Sequence, residues 1–396
     1  MILLLASVAL GAATIHTKFE GGALGEIKKI SNTHFRLAVK GESDQDHRNR
    51  QANWYYFRVD EDSEPLTLDI VNLPGEYNYK PNRGAVTKDT PPVISYDGVH
   101  WEHVKTYRYD PVEPKLILHI SPSKSTFWIA HCAPYTNETL AKLRNEIGNH
   151  PDFHEEKIGK TVGGRDLLLW TITHGTSRSK KTIWLLFRQH SWESGSSWVA
   201  EGAIRTLLAD RSRKLREEAI WKIIPLCDPD GVARGGVRFN ANGYDLNRNW
   251  DVIDPIKMPE IAAQRSAVQK WLQSGHSIDL FLSLHNTETN EYLEGPPEGG
   301  RNGRFKPLAE RLFRTLTEQT SFAPAQPIRY AGETTTPGKP GRMTVIQGLY
   351  RDFGIPGFLM EQRISDNAKL GKLPDVPDRL QFGAELVQAL AKSIVR

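Results

Sequence analysis

The sequence predicts a two-part protein, an antiparallel β-sandwich followed by an α/β sheet flanked by helices, and three observations carry that expectation. Between Phe19 and about Pro134, β-rich runs at 35–39, 53–59, 66–71, 116–120 and 126–130 are broken by turn signals such as Pro91-Pro92 and Asp97-Gly98, the spacing of a sandwich. From Thr136 onward, apolar runs of strand length alternate with segments whose apolar residues recur at helical spacing. The residues able to do chemistry fall in this second part, where apolar strands give way to turns, the edge at which open α/β sheets hold their ligands.

In chain order, residues 1–13 read Met-Ile-Leu-Leu-Leu-Ala-Ser-Val-Ala-Leu-Gly-Ala-Ala, the apolar core and small-residue end of a secretory leader, too short to span a bilayer as a helix. The expected units are a leader over 1–16, a β-sandwich over 17–134 and an α/β unit over 135–396. Export to a periplasm or beyond follows, with a cytosolic protein as the alternative. In the α/β part the pattern places helices at 138–147, 196–209 and 259–273, strands at 167–172, 182–187 and 219–226, and a closing amphipathic helix at 379–395. The aromatics of the sandwich are read as core.

Composition narrows the partners. Lys and Arg number 51 against 47 Asp and Glu, a net charge of +4, and the two signs are interspersed, so no basic stripe points to nucleic acid. The charged run 211–218 reads as a solvated helix end. Cys132 and Cys227 are too few for a disulfide framework and are read as buried thiols, one bridge between them staying open. Beyond the leader, no stable membrane insertion is expected.

The chemistry begins at Phe187-Arg-Gln-His190-Ser-Trp-Glu193, after a strand. Ligands three apart reach one ion from a tight turn or a first helical turn, so the pair requires a turn at Ser191-Trp192. His285 follows a second apolar run, 278–284. Two imidazoles and a carboxylate at strand ends match a catalytic zinc site with one position left for water. Singly, each signal is weak, since His-x-x-Glu arises by chance and a lone histidine after a strand is commonly core. The loop 225–250 between them adds weight, because Arg238, Asn247 and Arg248 can grip a carboxylate with forked donors. Without the ligands, that loop would read as surface with solvated arginines.

Together these runs resemble the zinc metallocarboxypeptidases of the carboxypeptidase A superfamily, in particular the cytosolic carboxypeptidase branch. The likeness covers nearly the whole chain, Gln51-Ala-Asn-Trp-Tyr-Tyr-Phe57 and Cys132-Ala-Pro-Tyr135 resembling runs of that branch's amino-terminal domain. The resemblance implies a mixed-sheet catalytic domain and one Zn2+ per chain on His190, Glu193 and His285. It implies that Asn247 and Arg248 hold the substrate's terminal carboxylate and that Arg238 polarises the scissile carbonyl. Gly-Ile-Pro-Gly-Phe-Leu-Met-Glu361 has the form of the strand carrying the general base.

The chain departs from the digestive members in one place: the region of their loop tyrosine reads Thr334-Thr-Thr-Pro-Gly-Lys-Pro-Gly-Arg342, and neither Tyr330 nor Tyr350 is in register. The side-chain pocket floor falls at Ile346 or Thr344, with Arg342 and Lys339 near in sequence. An apolar floor favours large neutral terminal residues; a basic reach favours acidic ones, towards which the resemblance tilts. The expected partner is a peptide or protein carboxyl terminus. Two other functions stay open, a zinc deacylase or amidase acting on N-acyl amino acids and a non-catalytic peptide-binding module.

Overall fold

The computed structural model describes residues 13–60, 64–82, 85–177, 179–332 and 340–394. Most of the leader-like segment, together with Thr334 to Lys339 in the region without the tyrosine, lies outside these residues.

The amino-terminal part is a sandwich of two five-stranded sheets. One runs Thr14–His16, Tyr56–Asp60, Thr126–Ala130, Val93–Ser95 and Glu102–His103; the other runs Tyr107–Asp110, Lys115–Ile120, Leu66–Val71, His34–Ala38 and Ile27–Lys29. Alternating residues such as Phe57, Val59, Leu68, Ile70, Leu116, Leu118, Phe127 and Ile129 form the shared core, the period-two pattern of strands with one buried face. Pairing is antiparallel throughout these two sheets except between His34–Ala38 and Leu66–Val71, which run parallel. Residues 14–16, counted with the leader in the sequence reading, form an edge strand paired with Tyr56–Asp60. A small four-stranded sheet, Glu42–Ser43, Arg50–Gln51, Gly75–Tyr77 and Lys80–Asn82, projects from the sandwich.

The second part is built on an eight-stranded mixed sheet in the order Phe153–Lys160, Asp166–Ile172, Ala219–Ile224, Lys181–Phe187, Leu280–Thr287, Gly357–Arg363, Tyr292–Gly295 and Arg329–Tyr330. Its four central strands run parallel and are almost continuously buried, as strands covered on both faces are. One face is covered by the helices Ser194–Leu208 and Val376–Ile394. They cross closely because both carry glycine at the contact: a Cβ on Gly202 would lie 2.0 Å from the Leu380 carbonyl oxygen, and one on Gly383 2.2 Å from that of Val199.

Helices stand at Asn137–Ile147 and Pro259–Gln273, where periodicity places them. The segment 225–250, read as loop alone, contains the short helix Pro229–Arg234. Its punctuation is explicit: Asp228 caps the first turn by accepting from Gly231 N, Pro229 opens the helix, and Gly235 closes it in the left-handed region at φ 66°. The run 211–218 contributes the helix Arg213–Glu218, with exposed ion pairs Arg213–Glu217 and Lys214–Glu218. Arg216 departs from the solvated reading, being buried against Asp152 and the Leu207 carbonyl. Cys132 and Cys227 are free thiols. No helix among the described residues is long and apolar enough to cross a membrane.

Candidate metal centre and catalytic cleft

His190 follows the strand Lys181–Phe187 by three residues, with a turn at Ser191-Trp192, and Glu193 sits at the cap position of the helix Ser194–Leu208. Arg188 holds this turn in shape. It adopts φ 59°, an uncommon conformation for a side-chain-bearing residue, and its buried guanidinium donates from Nε and Nη2 to the Ser191 carbonyl at 2.8 and 2.6 Å. His285 does not end its strand but lies inside Leu280–Thr287, because hydrogen bonding with Gly357–Arg363 continues past it to Thr287.

The turn and the strand bring three ligand atoms of His190, Glu193 and His285 within 4.8 Å of one another. All three side chains are buried. Nδ1 of His190 lies 2.6 Å from Glu193 Oε1 and Nδ1 of His285 lies 2.9 Å from Glu193 Oε2. Burial would raise the Glu193 carboxyl, but the two imidazoles outweigh it and pull it down to about 2. The opposite ring nitrogens are held from behind: His190 Nε2 lies 3.1 Å from Asp245 Oδ1, and His285 Nε2 lies 3.0 Å from Ser283 Oγ and 3.1 Å from Gln189 Oε1. Fixing the far nitrogen orients a histidine for a metal. A buried His-Glu-His set with both imidazoles turned towards one carboxylate and braced behind fits a divalent zinc ion.

Glu361 is in register with His285 on the neighbouring parallel strand and with Tyr292 on the antiparallel one. One face of the sheet therefore carries His285, Glu361 and Tyr292 in a row. The Tyr292 hydroxyl lies 3.5 Å from Glu361 Oε1, while Oε2 is shielded from solvent and has no partner. Burial, reinforced by the charge of Glu193, pushes the Glu361 carboxyl well above the usual range.

Arg238 reaches the same cluster, donating from Nε to Asp245 Oδ2 at 2.7 Å. Asp245 thus serves His190 through one oxygen and Arg238 through the other. Burial opposes its charge, yet Arg238 and His190 hold it well below the ordinary value. Asn247 is buried beneath the centre, its Oδ1 accepting from Val345 N at 3.1 Å and its Nδ2 lying 3.4 Å from His285 Nε2. Arg248 donates to the Asn247 carbonyl at 2.7 Å and, with Arg238 and Asp245, lines a cleft of about 250 Å³.

That cleft is shared between the two parts of the chain. The sandwich side supplies Asp44, Arg48, Asn49 and Tyr77, and the catalytic side supplies Arg342. Thr344 caps the helix Val345–Phe353, and Ile346 in its first turn is fully buried, packed on Gly357. Tyr330 and Tyr350 are engaged elsewhere, against Gly295 and Phe305 respectively. Sequence reasoning missed Asp245, Tyr292, Gln189 and Ser283. The last two had a signal: Gln189 adjoins His190, and Ser283 shares a strand face with His285.

A mixed sheet with this centre towards the carboxyl ends of its parallel strands has the form of a metal-dependent hydrolase. A zinc carboxypeptidase family model matches residues 139–292, and a cytosolic carboxypeptidase N-terminal domain model matches residues 15–132. Cytosolic carboxypeptidase 6 of Caenorhabditis elegans is 30% identical over 301 residues, covering 72% of this chain and 65% of that protein. An uncharacterised protein of Zymomonas mobilis is 24% identical over 395 residues, 96% of each chain. In fold, the chain is similar to a metallo-carboxypeptidase from Burkholderia cenocepacia (TM-score 0.82, 22% identity, 97% of this chain and 99% of that one). It is likewise similar to one from Pseudomonas aeruginosa in complex with (2-guanidinoethylmercapto)succinic acid (TM-score 0.79, 22% identity, 97% and 100% covered).

The chain belongs to the zinc carboxypeptidases and carries the cytosolic carboxypeptidase N-terminal domain. Its second part carries the zinc carboxypeptidase domain. The chain spans 65% or less of the curated cytosolic carboxypeptidases it matches, such as the worm protein and its mouse counterpart at 55%.

Proposed function

We propose that the protein removes the last residue from peptides or protein tails, with His190, Glu193 and His285 holding one zinc ion per chain. The observation that carries this reading is the convergence on one buried point of the His-Glu-His set, Glu361 beside it in register, and Arg238 tied to the Asp245 that braces His190. Zinc bound there would supply Lewis-acid polarisation and a lowered pKa for the attacking water.

The chain's own residues perform the rest. Glu361, its proton affinity raised by burial, takes a proton from the attacking water and returns it to the leaving amine. Arg238 brings a fixed positive charge to the oxygen on which negative charge develops, and preorganised charge of that kind is commonly the largest catalytic contribution. Asn247 and Arg248 receive the terminal carboxylate, a planar fork of donors matching a planar anion. An internal peptide bond offers no anion there, which restricts the enzyme to chain ends.

An acidic terminal residue is the preferred substrate in this reading. The cleft gathers Arg48, Arg238, Arg248 and Arg342; Arg238 is paired with Asp245 and Arg48 with Asp46 and Asp44, which leaves the charges of Arg248 and Arg342. The net charge left for a ligand is positive.

The test is release of free amino acids from peptides that differ only in the last residue, with zinc-loaded and chelator-stripped enzyme. Zinc-dependent loss of single residues, fastest for glutamate or aspartate, is expected. Equal rates for neutral and acidic ends would remove the preference. Cleavage confined to N-acyl amino acids would replace the carboxypeptidase with a deacylase.

A further inference from the structure

We infer that Glu42, a residue of the sandwich, is a positioning residue for the reaction, fixing the loop that carries Arg238 and acting on the substrate only through that arginine. The inference rests on the reading of Arg238 as the group that meets the scissile carbonyl. Glu42 Oε2 accepts three consecutive backbone amides, from Val237 at 2.9 Å, Arg238 at 2.6 Å and Phe239 at 2.8 Å. Its Oε1 accepts from Arg234 Nη2 at 2.6 Å. Successive amides that converge on one oxygen form a nest for an anion, and hydrogen bonds to a carboxylate are about twice as strong as neutral ones.

Arg238 is therefore held at both ends, its backbone by Glu42 and its guanidinium by Asp245. The approach is built into the loop. A Cβ on Gly236 would lie 2.9 Å from both Glu42 Oε1 and Arg234 Nη2, so glycine lets that ion pair sit close against the loop. Two further contacts seat the same loop on the sandwich, Gly21 N to the Ala233 carbonyl and Gln45 N to the Gly243 carbonyl, both at 3.1 Å. A reacting group displaced by about 1 Å costs on the order of a hundredfold in rate, and nothing on the catalytic side occupies the nest among the described residues.

The experiment is a double-mutant cycle on the zinc-loaded full chain, measuring kcat and KM on one peptide together with zinc content, for Glu42→Ala, Arg238→Ala and the pair. Glu42→Ala is expected to lower kcat roughly ten- to hundredfold with KM and zinc content little changed, and to have no further effect once Arg238 is alanine. An unchanged kcat in Glu42→Ala overturns the inference while the reading of Arg238 stands. So does an equal loss in both backgrounds, which would mark Glu42 as a general structural anchor. Full activity in Arg238→Ala alone would remove the reading and the inference with it. If Glu42→Ala fails to fold, the isosteric Glu42→Gln carries the same cycle, its amide keeping the shape and losing the charge.

Discussion

Asp245 serves two partners of different kinds, an imidazole of the metal set and the guanidinium poised over the reaction. Asp245→Asn keeps the shape and loses the charge, so zinc affinity should fall about 10- to 100-fold, with kcat falling as well; competition with a chromophoric chelator reads the first and steady-state kinetics the second. Glu361→Gln separates binding from chemistry. It should lower kcat by about 10²- to 10⁴-fold while zinc content and peptide affinity persist, and retained turnover would remove Glu361 as the base. The grouping of His190, Glu193 and His285 was legible because short motifs and their flanking strands announce them, and Glu361 came in only through the resemblance of its strand to the family's. Asp245, Tyr292 and Glu42 were not legible, since their partners lie 55, 69 and up to 197 residues away, and only the fold creates those contacts.

At the scale of elements, periodicity located the helix Pro259–Gln273 and the central strands, because each buries a continuous apolar face. It failed in the segment after Ile224, where the six-residue helix Pro229–Arg234 is too short to show a period and only the Asp-Pro start and the Gly-Gly stop could have revealed it. It also ended the His285 strand too early, because past His285 the residues Asn286 and Thr287 are polar and are kept extended by pairing with Gln362 and Arg363.

The cap of that short helix has a consequence for pH. Burial raises the Asp228 carboxyl to about 7, with Arg234 opposing and Glu42 and Glu260 adding to the rise, against about 3.9 in an unfolded chain. The folded state therefore holds a proton that the unfolded state has lost. Stability contributed by this group is full below about pH 4, falls as pH rises towards 7, and is level above it. Asp228→Asn keeps a capping oxygen without the charge, and urea unfolding from pH 4 to 8 should show the variant gaining on the parent up to about pH 7.

For the molecule as a whole, the centre lies among elements far apart in sequence, so a bound ion ties them together. Zinc that binds only the folded state stabilises it by mass action; stripping the metal should lower the melting temperature by several degrees, and stoichiometric zinc should restore it. A melting temperature indifferent to chelator would show that these residues hold no ion. The two-part architecture was legible from the change of period near Thr136. The contact between the parts was not, because Glu42 sits in a two-residue strand that reads as an ordinary turn.

That contact has a consequence for biosynthesis. The last strand of the sandwich ends at Ala130, whereas the loop bearing Arg238 follows Ile224. Domains generally fold as units, the amino-terminal one first as the chain leaves the ribosome. The nascent loop therefore emerges to meet a surface made before it, and the sandwich acts as the mould in which its reactive arginine is set.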